Sequence, residues 1–94
     1  MTKAQLISAI AIRTGYDKTT IANVLESTTE VIKKTVAEHE TIYMRGFGSF
    51  GTKVRAKKLA RNISKNITIE VPEHRIVFFK PANEFNDLLA PAEN

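Results

Sequence analysis

The segment from Arg45 to Lys65 constrains the fold of this chain more than any other, because it contains seven lysines and arginines and no acidic residue. A buried cation without a paired carboxylate is strongly destabilising, so these side chains belong on a surface. An ordinary protein surface intersperses both signs of charge. The segment therefore predicts a surface that attracts a polyanion.

The formal charge of +4 is distributed unevenly along the chain. Residues 53–80 carry eight lysines and arginines and two acids, a balance of +6, whereas the rest of the chain has a balance of −2. We therefore expect a polyanion such as a nucleic acid to bind one part of the molecule.

The 94 residues of the chain are expected to form one domain, residues 1–94, that gains stability from a partner chain. The absence of cysteine excludes disulfides and fits a reducing compartment. No signal-like N-terminus and no apolar run of roughly 20 residues is present, so we expect a soluble, cytoplasmic protein without a membrane partner. No arrangement of side chains suggests an active site, so we expect no enzymatic activity, cofactor, metal or small-molecule substrate.

Two helices are predicted at the N-terminus. Thr2 and Gln5 have the spacing of a capping box, and Gly15 stands where a left-handed residue would end the first helix. Asp17 is the predicted N-cap of a longer second helix over about residues 18–38. The apolar stripe of the second helix is wider than the first helix can cover, which predicts a dimer. Its predicted core contains Leu25, Ile32, Phe47, Phe50 and Phe79.

A three-stranded antiparallel sheet is predicted after the helices, with a short strand at residues 41–44 and two long strands from Ser49 and from Ile67. Apolar and basic residues alternate in the first long strand, which is typical of a strand with one wet face. The turn between the long strands is expected at residues 64–66. The predicted hairpin, over about residues 53–76, has few apolar residues near its tip and should project from the body as an arm.

A short C-terminal helix is expected to start at an Asn83 cap and to end near Pro91. Glu84 and Asp87 are interpreted as its solvated acidic end. The fold class is therefore α+β, with two N-terminal helices, a three-stranded antiparallel sheet, a protruding β-hairpin arm and a C-terminal helix.

Three patterns allow other interpretations. Residues 46–51 match G-x-G-x-x-G, but the glycines precede a strand and not the helix that a dinucleotide site needs, so a tight hairpin and close subunit approach explain them better. Helix, turn and helix near the N-terminus also suggest a helix-turn-helix transcription regulator, although the second helix begins with only one cation, Lys18. His39 and His74 are interpreted as exposed or locally hydrogen-bonded.

The sequence resembles the HU/IHF family of bacterial histone-like DNA-bending proteins over essentially its full length. The resemblance is carried by Gly46-Phe47-Gly48-Ser49-Phe50, the basic strand, Arg61-Asn62 and Phe79-Lys80-Pro81. It implies an intertwined dimer whose two arms wrap double-stranded DNA through the minor groove, without catalysis, in a nucleoid-associated role. Homodimer and heterodimer with a paralogue remain open, as does RNA binding.

The resemblance places Arg55, Lys58 and Arg61 at the arm contacts, and Lys3 and Lys80 where the body meets flanking DNA. Together with the basic run it gives the predicted DNA-binding residues: Lys3, Arg45, Lys53, Arg55, Lys57, Lys58, Arg61, Asn62, Ile63, Lys65, Arg75 and Lys80.

The chain departs from the family pattern at three positions. Ile63 replaces the usual proline wedge, Asn66 replaces a common glycine, and Asn83 replaces a common lysine. Ile63 has two interpretations, insertion at a DNA base step or packing against Ile67 across the hairpin.

Overall fold

The computed structural model describes residues 1–89 and Pro91. It contains two compact units, the first comprising Met1–Lys34 and the second beginning at Thr35. In this part of the chain, two helices, five strands in two antiparallel sheets and a short third helix follow one another. The α+β class, with N-terminal helices and antiparallel strands, is confirmed.

Helix α1 (Lys3–Thr14) begins and ends as the sequence predicts. The Thr2 hydroxyl accepts a hydrogen bond from the Gln5 backbone N–H at 3.2 Å, and the Thr2 backbone N–H donates to Gln5 Oε1 at 2.8 Å. Gly15 follows with a left-handed φ of 78°, and its N–H donates to the Ala11 carbonyl at 2.9 Å. Hydrogen bonds of this kind satisfy backbone groups that lack helical partners at the helix ends.

Helix α2 (Lys18–Ala37) is capped by Asp17, as predicted. The Asp17 carboxylate accepts from the Thr20 hydroxyl at 2.7 Å and from the Thr20 backbone N–H at 3.0 Å. These two hydrogen bonds, the side-chain bond first, lower the pKa of Asp17 from its ordinary value because they favour the charged carboxylate.

The C-terminal end of α2 is closed by His39, which has a left-handed φ of 65°. Its N–H donates to the Val36 carbonyl at 2.9 Å, and the Glu40 N–H donates to the Thr35 carbonyl at 3.2 Å. This is the hydrogen-bond pattern of a Schellman motif. The exposed position predicted for His39 is confirmed.

Five strands form two separate sheets. Strands β1 (Ile42–Met44), β2 (Gly48–Arg55) and β5 (His74–Pro81) form one antiparallel sheet in the order β1-β2-β5. Strands β3 (Lys58–Asn62) and β4 (Ile67–Val71) form a two-stranded antiparallel hairpin, which we call the arm.

The prediction of two long, unbroken strands is wrong, because each is interrupted for two residues. The first gap comprises residues 56–57 and the second residues 72–73. Pro72 has no N–H to donate to a strand ladder, so it favours a break at the second gap. The predicted arm of residues 53–76 is therefore the shorter hairpin 58–71, and three predicted strands become five.

The C-terminal helix α3 (Asn83–Asn86) is shorter than predicted and is not capped by Asn83. Ala82 occupies the N-cap position in an extended conformation, and it makes no side-chain hydrogen bond because it has no side-chain acceptor. Turns continue the chain over residues 87–89. Pro91, the predicted end of the helix, thus lies beyond the last turn of α3.

Four phenylalanines form an aromatic cluster in the second unit. Phe47, Phe50 and Phe79, all predicted core residues, are joined by Phe85 of α3. The shortest distance between ring centroids is 4.8 Å, between Phe50 and Phe79, and the geometry is tilted. Centroid distances of this size are those that aromatic pairs prefer.

Gly48 is required by the close approach of β2 to β5. A Cβ at this position would lie 2.5 Å from the Lys80 carbonyl oxygen and 2.7 Å from the Phe79 ring. The close contact is therefore made within one chain, and the expected role of Gly48 in a close subunit approach is not needed to explain it.

We predict that Asp17→Asn lowers the melting temperature at neutral pH and that the difference from the parent disappears in acid. Asn can still cap the helix, but it carries no charge to interact with the helix dipole. A carboxyl group whose pKa is lowered in the folded state stabilises the fold at pH values above its pKa in the unfolded chain, near 3.8. This contribution is lost as the pH falls through the lower pKa of the folded state.

The measurement is thermal unfolding of parent and Asp17→Asn at matched protein concentration, at neutral pH and at successively lower pH. A difference in melting temperature that does not depend on pH would contradict the prediction.

Candidate nucleic-acid interface

The pairing of β2 with β5 sorts the side chains of the three-stranded sheet onto two faces. The two strands pair over eight residue pairs, from Gly48 opposite Pro81 to Arg55 opposite His74. Opposite residues point to the same face and successive residues alternate. One face, which we call the basic sheet face, carries the side chains of Ser49, Lys53, Arg55, His74, Ile76, Phe78 and Lys80.

Three predicted site residues, Lys53, Arg55 and Lys80, are brought together on the basic sheet face, and all three are exposed. The Lys53 ammonium lies 4.7 Å from the centroid of the Phe78 ring, a cation–π contact that orients the lysine. The alternation predicted for this strand from the sequence is therefore present from Phe50 to Arg55.

Arg75 lies on the opposite face of the sheet, because it is opposite Val54 and adjacent to His74 in β5. Its guanidinium donates a hydrogen bond from Nη1 to Thr52 Oγ1 at 3.2 Å. The structure does not bring Arg75 together with Lys53, since the period of two along a strand separates their side chains.

The cations of the arm are also divided between two faces. Lys58 is opposite Val71 and shares a face with the apolar residues of β4. Arg61 is opposite Thr68 and points to the other face, which also carries Leu59 and Glu70. The arm therefore presents Lys58 and Arg61 in different directions.

The tip of the arm is a turn over residues 63–66. Asn66 has a positive φ of 53°, as the sequence predicts for this turn, and its Oδ1 accepts from Arg61 Nη2 at 2.6 Å. Asn62 Oδ1 accepts from the Lys65 backbone N–H at 3.4 Å. The Ile63 side chain is 88% exposed, so it is not packed across the hairpin.

At the other end of the arm, a cleft of about 640 Å³, which we call the arm-root cleft, lies beside the first gap, residues 56–57. Lys57 Nζ lies 2.7 Å from Glu70 Oε1 in an exposed ion pair beside it. The His74 Nδ1 atom lies 3.0 Å from the Pro72 carbonyl oxygen. The cleft is lined by Arg55, Ala56, Lys57, Lys58, His74 and Ile76.

The other predicted body contacts lie outside these strands. Lys3 is the first residue of α1, in the first compact unit, and Arg45 lies in the turn between β1 and β2. Both are exposed.

Sequence analysis missed the contribution of His74 and Phe78 to the basic sheet face. Their alternation with Ile76 and Lys80 over residues 74–80 was a signal that could have found them. The local hydrogen bond expected for a histidine is confirmed at His74. Its position opposite Arg55 depends on the register of β2 and β5.

Within residues 1–89, no group of three or more His, Cys, Asp or Glu residues is placed to hold a metal ion. In the same part of the chain, no helix is long and apolar enough to cross a membrane.

Comparison with known proteins gives one consistent family. A family model described as "Bacterial DNA-binding protein" matches residues 1–90. DNA-binding protein HU of Campylobacter jejuni is 34% identical over 98% of this chain and 94% of its own length. Integration host factor subunit alpha of an Anaeromyxobacter species is 29% identical over 95% of this chain and 90% of its own length.

A solved structure is also similar. The cocrystal structure of Anabaena HU with DNA superposes on this chain with a TM-score of 0.91 and 29% sequence identity, covering 98% of this chain and all of that chain.

Proposed function

The chain belongs to the family of bacterial DNA-binding proteins, and we propose from this premise that it binds and bends double-stranded DNA with two β-arms. It is an architectural DNA-binding protein of the HU/IHF type and not an enzyme. Little sequence specificity, a role in DNA condensation and a place in the cytoplasmic nucleoid belong to the proposal.

The observation that carries the proposal is the basic sheet face together with the exposed cations of the arm. Exposed cations without carboxylate partners attract phosphates and release the counterions condensed on DNA, whatever the base sequence. Within residues 1–89, Lys57 alone among the cations of the proposed site has a carboxylate within 4.0 Å. The proposed contacts are Lys3, Arg45, Lys53, Arg55, Lys57, Lys58, Arg61, Asn62, Ile63, Lys65, Arg75 and Lys80.

The side chains of these residues point in different directions. Lys53, Arg55 and Lys80 lie on one face of the sheet and would bind phosphates there, whereas Lys58 and Arg61 lie on two faces of the arm. An arm with cations on both faces is suited to a groove, in which phosphates flank it on either side. We therefore assign the arm to the minor groove. Arg75 would contact DNA only after leaving Thr52, so it is the weakest of the proposed contacts.

We also propose an intertwined dimer, either of two identical chains or with a close paralogue. Among residues 1–89, the buried apolar side chains are Ile21 and Val36, whereas Val24, Val31 and Phe47 are at least 40% exposed. A soluble chain that exposes this much apolar surface is expected to cover it with a partner. Leu25, Ile32, Phe50 and Phe79 are half-buried, and Phe47 is the most exposed of the proposed core residues.

The helix-turn-helix alternative has less support. A recognition helix presents basic and amide side chains near its N-terminus. At the start of α2 the capping residue is the anionic Asp17, which engages both the hydroxyl and the N–H of Thr20. A carboxylate at this position would repel DNA phosphates. The dinucleotide-binding alternative also lacks the required helix, since Gly48 opens strand β2.

The dimer predicts that stability depends on protein concentration. Association should bury a core-like interface of more than about 2,000 Å². The melting temperature should therefore rise with protein concentration, because mass action stabilises a folded dimer. Thermal unfolding across a dilution series, with sedimentation equilibrium, measures this. A folded monomer at micromolar concentration with a constant melting temperature would refute the dimer.

The phosphate contacts predict a strong salt dependence. If a dimer neutralises roughly 6 to 10 phosphates, a plot of log K against log salt should have a slope of about −5 to −9. Arg61→Ala should weaken binding to all sequences alike and flatten the slope by about two, one phosphate contact per arm.

Titration of a random-sequence duplex at several salt concentrations measures these slopes. Arg13→Ala is the matched control, because Arg13 is an exposed cation in the last turn of α1 and outside the proposed contacts. Equal slopes for parent, Arg61→Ala and Arg13→Ala would remove Arg61 from the interface, and tight binding that ignores salt would overturn the electrostatic mechanism.

Ile63 is proposed to insert between base pairs in place of the proline of the family. Its side chain is 88% exposed at the tip of the arm, which supports insertion over packing against Ile67. An apolar side chain inserted at a base step unstacks it and kinks the duplex. Ile63→Ala should therefore reduce the bend of bound DNA and the preference for nicked over intact duplex, while the salt slope stays unchanged.

Fluorescence-transfer bend angles and competition between nicked and intact duplexes test this prediction. Leu59→Ala is the control, because Leu59 is an exposed apolar residue of the same arm, 70% exposed, but lies away from the tip. Identical bend angles and nick preference for parent and Ile63→Ala would show that Ile63 is not inserted.

A further inference from the structure

His74 has no role in the proposed function, yet it lies among cations in the arm-root cleft. Arg55 and His74 are directly opposite each other in β2 and β5, so both side chains point to the basic sheet face. Lys57 and Lys58 line the same cleft from the start of the arm. A volume of about 640 Å³ leaves room for a phosphate group and its sugar.

The hydrogen bond to Pro72 determines which nitrogen of His74 can reach a ligand. Nδ1 lies 3.0 Å from the Pro72 carbonyl oxygen, and a carbonyl oxygen can only accept. Nδ1 therefore carries a proton, and Nε2 is the nitrogen left for a ligand. In the neutral ring Nε2 presents a lone pair, whereas in the protonated ring it is a donor with a positive charge.

The charges around the cleft favour an anion. Glu70 lies 2.7 Å from Lys57 and largely compensates its charge, and Glu73 precedes His74 in the second gap. Within residues 1–89, no carboxylate oxygen lies within 4.0 Å of the charged atoms of Arg55 or Lys58. These two side chains thus supply the positive charge of the cleft. A third cation there is unfavourable unless an anion is present.

We propose that the arm-root cleft is a phosphate-binding subsite in which Arg55 and Lys58 hold one backbone phosphodiester of DNA and protonated His74 donates to it from Nε2. The inference rests on the proposed DNA-binding function and adds a residue to it. A neutral His74 would direct a lone pair at a phosphate oxygen, so binding takes up a proton at each cleft. Protonated His74 donates a hydrogen bond that the neutral ring cannot donate from Nε2, so affinity for DNA increases as the pH falls.

The test is the affinity for a random-sequence duplex between about pH 7.5 and about pH 5.5 at constant ionic strength. The parent should bind about two- to fivefold more tightly per cleft at the lower pH, the range expected for an exposed charge contact. His74→Gln, which can donate only a neutral hydrogen bond, should lose this gain. His74→Arg should bind at the higher pH as tightly as the parent does at the lower pH.

The chain offers a matched control, because it contains two histidines. His39→Asn changes the other one, and asparagine tolerates the left-handed conformation of that position. This variant should keep the pH dependence of the parent.

A pH-independent parent, or the same pH dependence in parent and His74→Gln, overturns the inference and leaves the proposed function intact. Loss of the pH dependence in His39→Asn also overturns it. Absence of DNA binding at every pH overturns the proposed function itself, and the inference with it.

Discussion

The antiparallel pairing of β2 with β5 is the interaction on which the rest of this structure depends. One register over eight residue pairs places Phe50 against Phe79, with ring centroids 4.8 Å apart, and turns Lys53 and Arg55 to the opposite face. Because side chains alternate, a slip of one residue would exchange the two faces and bury the cations. The aromatic cluster and the basic sheet face are therefore two consequences of the same hydrogen-bond ladder.

The arm is a separate structural element, because both strands are interrupted at its root. Its polar side-chain contacts are few and exposed. They are the Lys57–Glu70 ion pair, the Arg61–Asn66 hydrogen bond and the hydrogen bond from the Lys65 backbone N–H to Asn62. Exposed ion pairs contribute only about 0.2 to 1 kcal/mol, so the backbone ladder of β3 and β4 supplies the order of the arm. A hairpin held in this way keeps its cations exposed, because none of them is buried in a packed core.

The family gives this chain its general function, whereas individual residues distinguish it within the family. Ile63 at the tip of the arm and Asn83 depart from the family pattern, and His74 lies at the proposed arm-root subsite. Each changes a different property. Ile63 lacks the fixed φ of proline, Asn83 supplies no cation to the body, and His74 is the hydrogen-bond donor that we propose for the arm-root cleft.

The sequence by itself determined the features that local interactions control. The Thr2 capping box, the left-handed Gly15, the Asp17 cap and the positive φ of Asn66 all follow from the chemistry of adjacent residues. The segment Arg45–Lys65, which has seven cations and no acid, likewise indicated a polyanion-binding surface. The resemblance of the chain to a known family indicated that the polyanion is DNA.

Only the tertiary structure decided what depends on residues far apart in the chain. The two gaps in the long strands lie opposite each other, which depends on how the strands pair. The pairing of Arg55 with His74 likewise depends on a register that joins residues 19 positions apart. The same register separates Arg75 from Lys53 and brings Phe79 against Gly48. Sequence periodicity tells which residues share a face within one strand, but the hydrogen-bond ladder between strands decides which faces coincide.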